Sequence, residues 1–293
     1  MRTGCRPSTA AFVASAESGI VPMEIAFTDE STGAVTWWAW DFGDGNTSSE
    51  KNPVHVYSKG GYYMAILTAS DDEGVSVKDT LNLAIELSMI NYLTGNPNDP
   101  GYKGKTWKLT TNHGANGDYL GNSDAALTTA AGTPKPLPNG VFGQLGFPDV
   151  YKDEFTFYFD GRYSHNVKAD QASLSGIVYQ LVTTGGAGIV KMGPVDFGLC
   201  TGRYTPQTGA TFTYVEKEDF TVPSVYGPPT YTVTYKDVST LNFSGTEFVG
   251  FMDNQRKVII QAISDKSMRL VMFMAASPDY YPLNTHGLIL TFD

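Results

Sequence analysis

The chain has 293 residues, 41% hydrophobic and 17% charged, which is long enough for two domains and apolar enough to exclude a disordered polypeptide. Thirty acidic residues against twenty basic ones leave a net charge of −10, and no basic cluster offsets it. A nucleic acid or an anionic membrane face would therefore be repelled over most of the surface. No apolar run reaches transmembrane length, so any membrane association is expected through an anchor.

Taken in chain order, the first feature is Arg2-Thr3-Gly4-Cys5, whose Gly-Cys step resembles the end of a bacterial lipoprotein signal. A lipid on Cys5 is the expectation it carries. Cys200, the other cysteine, reads as a small core residue, and the pair has neither metal-site spacing nor a disulfide framework. Residues 10–14 and 23–27 read as strands. Trp37 and Trp38 then precede Trp40-Asp41-Phe42-Gly43-Asp44-Gly45, in which Trp40 and Phe42 share one face of a strand and the two glycines allow a tight reversal. The tryptophans at 37 and 38 are expected to help close the sandwich. A proline-marked bend, Asn52-Pro53-Val54-His55-Val56-Tyr57, leads to a strong strand over 61–71, with Tyr63, Ala65 and Leu67 inward and Tyr62, Met64 and Ile66 outward. Residues 80–85 supply the last strand of this group.

The order W-D-F-G-D-G, N-P-x-H-x-Y, G-x-Y-x-A-x-L-T-x-x-D resembles the PKD (polycystic kidney disease) module. The resemblance implies an immunoglobulin-like β-sandwich over residues 8–86, with His55 in a structural role. Asp71-Asp72-Glu73-Gly74 reads as a polar turn, with a structural calcium ion as the alternative. No other cofactor or metal is expected. From 87 to 103 the periodicity fades and Gly95 to Gly101 is rich in breakers, so this stretch reads as a linker.

From 104 to 293 the pattern is again all β, with no 3.6-residue stripe. Strands are expected at 154–159, 231–235, 258–263, 268–273 and 288–292, and Asp160-Gly161 gives a hairpin turn into Arg162-Tyr163-Ser164-His165. Short strands with frequent Gly and Pro turns predict a larger, jelly-roll-like β-sandwich. Gly104-Lys105-Thr106-Trp107-Lys108-Leu109, His113-Gly114 with Tyr119-Leu120-Gly121, the run Val150 to Tyr163, and Ile263 to Leu270 resemble the surface glycan-binding lipoproteins of polysaccharide-utilising bacteria. That resemblance implies an outer-membrane lipoprotein on the cell surface that captures polysaccharide, in some systems beside a transporter complex. A neutral β-glucan such as laminarin is the first expectation, since the net charge disfavours an anionic chain. Where the resemblance leads one to expect tryptophans, 138–148 offers phenylalanines, Phe147 among them, and Trp107 reads as core.

Catalytic signatures are missing. There is no E-x-D-x-x-E triplet, no G-x-S-x-G elbow and no H-E-x-x-H motif, and the four histidines are widely spread. Sugar binding needs aromatic rings beside Asp, Asn, Gln or His. Two loops combine these, one with His113, Asn116, Asp118 and Tyr119 and the other with Asp279, Tyr280 and Tyr281, while Tyr151 and Tyr226 are further candidates. Non-catalytic glycan binding is the reading these residues favour. A glycoside hydrolase or polysaccharide lyase with carboxylates on separate strands, or an adhesin for a protein ligand, remain the alternatives.

Overall fold

A computed structural model describes residues 8–97, 99–127, 135–194 and 198–293. Cys5 lies outside the described residues. The chain divides into two compact units, one running to Asn91 with Asp99–Pro100 grouped into it, the other holding the rest.

The first unit contains β1 (Phe12–Ala14), β2 (Ser18–Ile20), β3 (Met23–Asp29), β4 (Val35–Asp41), β5 (Thr47–Ser48), β6 (Val54–Tyr57), β7 (Gly61–Asp71) and β8 (Ser76–Glu86). Among the described residues they form a five-stranded sheet, β2-β8-β7-β4-β5, and a three-stranded one, β1-β3-β6. Alternation decides what lies between them: Trp40, Ala65, Leu67 and Leu83 come from one sheet and Phe12, Ile25, Phe27 and Tyr57 from the other. Hydrogen bonds satisfy two large polar side chains of this core. The Trp40 indole donates to the Glu50 carbonyl at 2.8 Å and the Tyr57 hydroxyl to the Phe42 carbonyl at 2.9 Å. His55 stacks on Phe42, with centroids 4.2 Å apart, and its Nε2 lies 2.7 Å from Asp44.

Trp38 packs against this core as expected, but Trp37 is exposed. The reason is parity: Trp38 and Trp40 share the inner face of β4, which sends Trp37 to the outer one. Tyr62 and Met64 point outward as the pattern predicts, and Tyr62 is 94% exposed. In the 71–74 turn Asp71 Oδ1 accepts the backbone N–H groups of Glu73 and Val75, and Asp72 accepts the Thr36 hydroxyl at 2.6 Å.

The stretch expected to be a linker contains a helix, α1 (Met89–Thr94). Its end is tied to residues further along the chain: the Trp107 indole donates to the Leu93 carbonyl at 2.9 Å and Lys105 Nζ to the Tyr92 carbonyl, and Leu93 is buried. The second unit continues with β9 (Lys105–Trp107), α2 (His113–Asn116), β10 (Tyr119–Asn122), β11 (Lys135–Pro136), α3 (Val141–Gln144), β12 (Glu154–Phe157), β13 (Tyr163–Asn166) and β14 (Ala172–Gly176). After these come α4 (Ile177–Thr184), β15 (Ile189–Met192), β16 (Leu199–Arg203), β17 (Phe212–Pro223), β18 (Thr232–Phe243), β19 (Val258–Ile263), β20 (Met268–Met274) and β21 (His286–Phe292).

Among the described residues the dominant sheet has seven strands in the order β11-β10-β21-β20-β19-β18-β17, with β17 to β21 a meander of consecutive antiparallel neighbours. Both faces of its middle strands β20 and β21 are covered. On one, Phe155, Phe157 and Tyr163 of the smaller sheet β13-β12-β9 pack against Phe292, Phe212 and Phe243. On the other, the long β17–β18 hairpin covers the sheet with its own outer half. Phe220 and Phe273 sit three strands apart, roughly 14 Å in a flat sheet, yet their rings are 6.2 Å apart. The register shifts between Val215 and Phe220 let the hairpin fold back, bringing Val222, Val233 and Tyr235 over Val271 and Ile289. This is the β-sandwich expected from the strand pattern, and Trp107 and Cys200 are both core residues in it.

Helix α4 departs from the all-β reading. Ile-Val-Tyr-Gln-Leu-Val is rich in residues that favour strands, but Ile177, Val178 and Gln180 form a buried stripe and Gly185, at φ +61°, closes the helix.

Two glycines of the first turn give a test of local strain. Both have positive φ, but a Cβ at Gly43 would meet the Met64 carbonyl oxygen at 2.7 Å, whereas one at Gly45 would meet open space. Gly45→Ala is expected to cost about 1 kcal/mol and Gly43→Ala roughly 3 kcal/mol in denaturant unfolding of the full chain.

Candidate functional site

The two loops singled out by their composition lie at opposite ends of β21. Asp118 bonds to Thr291, near the end of that strand, while 277–284 precedes its first residue, His286. Five residue steps of strand separate them, roughly 17 Å. They are therefore not one site.

The first loop is a buried clamp. His113 and Asp118 are fully buried. Asp118 Oδ2 accepts the Thr291 backbone N–H at 2.9 Å and His113 Nδ1 at 2.8 Å, and Oδ1 accepts the Thr291 hydroxyl at 2.6 Å. His113 Nε2 then faces the Tyr151 hydroxyl at 3.1 Å, whose oxygen accepts the Phe142 N–H. Every polar atom of this cluster thus has a protein partner, and its work is to tie α2 and α3 to the last strand. The expectation that His113, Asp118, Tyr151 and Phe147 meet a ligand is corrected accordingly: the first two are enclosed, the Tyr151 hydroxyl is engaged, and Phe147 is core. Tyr119 is half-buried on the sheet with Arg269 over its ring, and Asn116, though exposed, offers its carbonyl to Arg269 Nη1 at 2.9 Å.

The second loop is different. Its end is anchored by the carbonyl of Asn284, which accepts Ser123 Oγ at 2.7 Å and the Val225 N–H at 3.1 Å, while Ser224 Oγ donates to the Ser123 carbonyl. A short helical turn, Pro278–Tyr280, then holds Asp279 and Tyr280 out in solvent, the latter 54% exposed. Tyr226, 43% exposed, stands on the adjoining turn after Ser224. Tyr281 is half-buried with its hydroxyl 3.5 Å from Asn254 Oδ1.

Three residues that sequence reasoning missed complete this rim. Arg256 Nη2 donates to the Tyr179 hydroxyl at 2.7 Å and Nη1 to the Thr246 carbonyl, and among the described residues the guanidinium makes no ion pair. Tyr179 is carried by α4, and Asn254 and Arg256 by the loop before β19. The signal available was the polar run Asp253-Asn254-Gln255-Arg256 between Met252 and a predicted strand; Tyr179 had none, because its helix was not foreseen. Beneath the rim lies Asp253, fully buried, with Oδ1 accepting the Asn254 N–H at 2.6 Å and Oδ2 lacking a hydrogen-bond partner of normal geometry. Gly176 makes room for it, since a Cβ there would sit 2.3 Å from Oδ2. Burial pushes the Asp253 carboxyl up to about 7.

The arrangement offers ring faces, phenol hydroxyls, one amide and a planar guanidinium with three of its five N–H donors free of the two bonds named, the means to hold a hydroxyl-rich ligand. Among the described residues no three acidic, His or Cys side chains gather to hold a metal ion.

Comparison with known proteins resolves the first unit. Residues 7–85 match the family model for the PKD domain, so the N-terminal unit carries a PKD domain. Collagenase ColA of Bacillus cereus is 41% identical over 73 residues, 24% of this chain and 8% of that protein, so the chain spans less than a tenth of this relative. The crystal structure of the PKD1 domain of the Vibrio cholerae metalloprotease PrtV is 28% identical, covering 27% of this chain and 96% of that domain, with a TM-score of 0.25. A structure described as showing the specificity of carbohydrate-binding modules of the β-sandwich superfamily covers 99% of this chain and 92% of its own, at 12% identity and a TM-score of 0.29, too loose a likeness to carry an argument.

Two measurements check the geometry. Asp118→Ala strands the buried Thr291 N–H and His113 Nδ1, and is expected to lower stability by about 3 kcal/mol in thermal unfolding. Asp253, raised by burial in the folded state from an ordinary value of 3.8 to about 7, and Asp153, raised likewise to about 8, bind protons more tightly folded than unfolded. Their stabilising contribution is full below the unfolded value and is lost as pH rises through the folded ones. Stability should fall between those limits, and Asp253→Asn should flatten part of the fall.

Proposed function

We propose that the second unit binds a polysaccharide without cleaving it, on the rim formed by Tyr280, Tyr281, Asn254, Arg256 and Tyr179. The observation that carries this reading is the convergence of two tyrosines from one anchored loop with a guanidinium and an amide from another, around Asp253. A sugar ring stacks its C–H face on an aromatic ring and its hydroxyls take up side-chain donors and acceptors. Laminarin is the first ligand to try, because a net charge of −10 disfavours an anionic chain. On this reading the protein is a cell-surface lipoprotein anchored through Cys5, the PKD domain is a spacer, and captured glycan passes to an outer-membrane transporter.

Affinity gel electrophoresis against laminarin, mixed-linkage glucan, mannan, starch and alginate tests it. Retardation by a neutral glucan is expected, with no rise in reducing ends on prolonged incubation. Tyr281→Ala should weaken binding about tenfold, equivalent to about 1.4 kcal/mol. New reducing ends would instead establish a hydrolase.

A further inference from the structure

A concavity is linked to the rim through hydrogen bonds to Thr246. It is an open groove of about 360 Å³, between the β12–β13 hairpin and the segment 206–210, with Tyr158, Arg162, Ser164, His165, Gln207 and Thr208 among its lining residues. That volume is within the range of small-molecule clefts, about 300–1,000 Å³. Its wall is a flat stack: the Arg162 guanidinium lies 4.4 Å over the Tyr158 ring and is held there by Asp160, whose Oδ2 accepts the Nε–H at 2.7 Å. Ser164 and Thr208 are exposed along it and supply hydroxyls, while the exposed Gln207 has its side-chain amide turned to Thr246.

The exposed charges at this groove pair with each other, and the nearby Glu247 is fully buried behind His165. Arg162 is matched by Asp160, and His165, enclosed by Phe155, Tyr204 and Phe248, has its pKa lowered by burial despite the nearby Glu247. A flat wall with a row of neutral hydrogen-bonding groups suits an uncharged polyol better than an ion.

One residue joins the groove to the rim. Thr246 receives the Gln207 side-chain amide on its hydroxyl at 2.8 Å, and its carbonyl receives Arg256 Nη1. Gln207 lines the groove and Arg256 belongs to the rim, so groove and rim share Thr246 as a hydrogen-bonded neighbour.

We infer that rim and groove are successive subsites for one neutral glycan chain, crossing the surface at Thr246, so that the protein recognises a stretch of several sugar units and not a single residue or chain end. This rests on the glycan-binding reading above and adds to it the length of ligand recognised. Two subsites engaged by one chain make the second contact intramolecular, which raises affinity without any new contact once the ligand spans both.

The test is isothermal titration of the full chain with laminari-oligosaccharides from disaccharide to hexasaccharide and with laminarin, and with the corresponding series from mixed-linkage glucan. Affinity is expected to climb by about a hundredfold from the disaccharide to the longest oligomer, and Arg162→Ala, at an exposed side chain, should bring the longest oligomer down to near the affinity of the disaccharide. A binding protein whose affinity is independent of length, or one in which Arg162→Ala changes nothing, overturns the inference and leaves the single-site reading standing. Absence of binding by the unaltered protein to every oligomer and polymer overturns both.

Discussion

Strands β20 and β21 are buried on both faces, and this constraint organises the second unit. The middle of this sheet, covered on one side by aromatic residues of β12 and β13 and on the other by the folded hairpin, has no open face from which to offer side chains. What meets a ligand near these strands must come from the loops and edges, and the loops are held by the sheet they leave. Ser123, Ser224 and Asn284 show how: three segments far apart in sequence are bonded at one point, and the tyrosines of 277–284 project from that anchor. Functional sites set on loops of a rigid scaffold arise from the cost of burying backbone without partners.

The same constraint explains why two polar loops of similar composition have unlike fates. His113 and Asp118 lie where the chain must close the end of the sheet, so their hydrogen-bonding capacity is taken up by Thr291 and Tyr151. Tyr280 and Asp279 lie where the sheet is already closed, and their side chains are left to solvent. Asp253 is intermediate, a buried carboxyl held by the backbone N–H groups of Asn254 and Ala275, with Oδ2 short of a partner of normal geometry, directly under exposed Asn254. A residue of that kind is costly to keep in a core, which gives weight to its position at the base of the rim.

The first unit is legible in its sequence almost throughout. Alternation of Trp40 and Phe42, the glycine turn, and Tyr63, Ala65 and Leu67 on the opposing strand specify the sandwich locally, and among its tryptophans only Trp37 departs from expectation. In the second unit the strands are legible from period-2 runs such as 258–263, but α4 is hidden by its β-branched residues and its burial is decided by neighbours distant in sequence. The site is half legible. Tyr280 and Tyr281 stand in a loop that composition alone marks as exposed, whereas their association with Arg256 and Tyr179 depends on tertiary packing. The burial of Asp118 by a threonine 173 residues further on leaves no local trace.

Ligand contact by the loops around Tyr281 and Arg256 is the central claim. Hydrogen–deuterium exchange of the intact protein with and without saturating laminarin measures this most directly. Protection should appear at 251–256 and 277–284, spreading to 158–164 and 206–210, with the PKD unit unchanged. Protection confined to 113–119, or found only within residues 8–86, would contradict it.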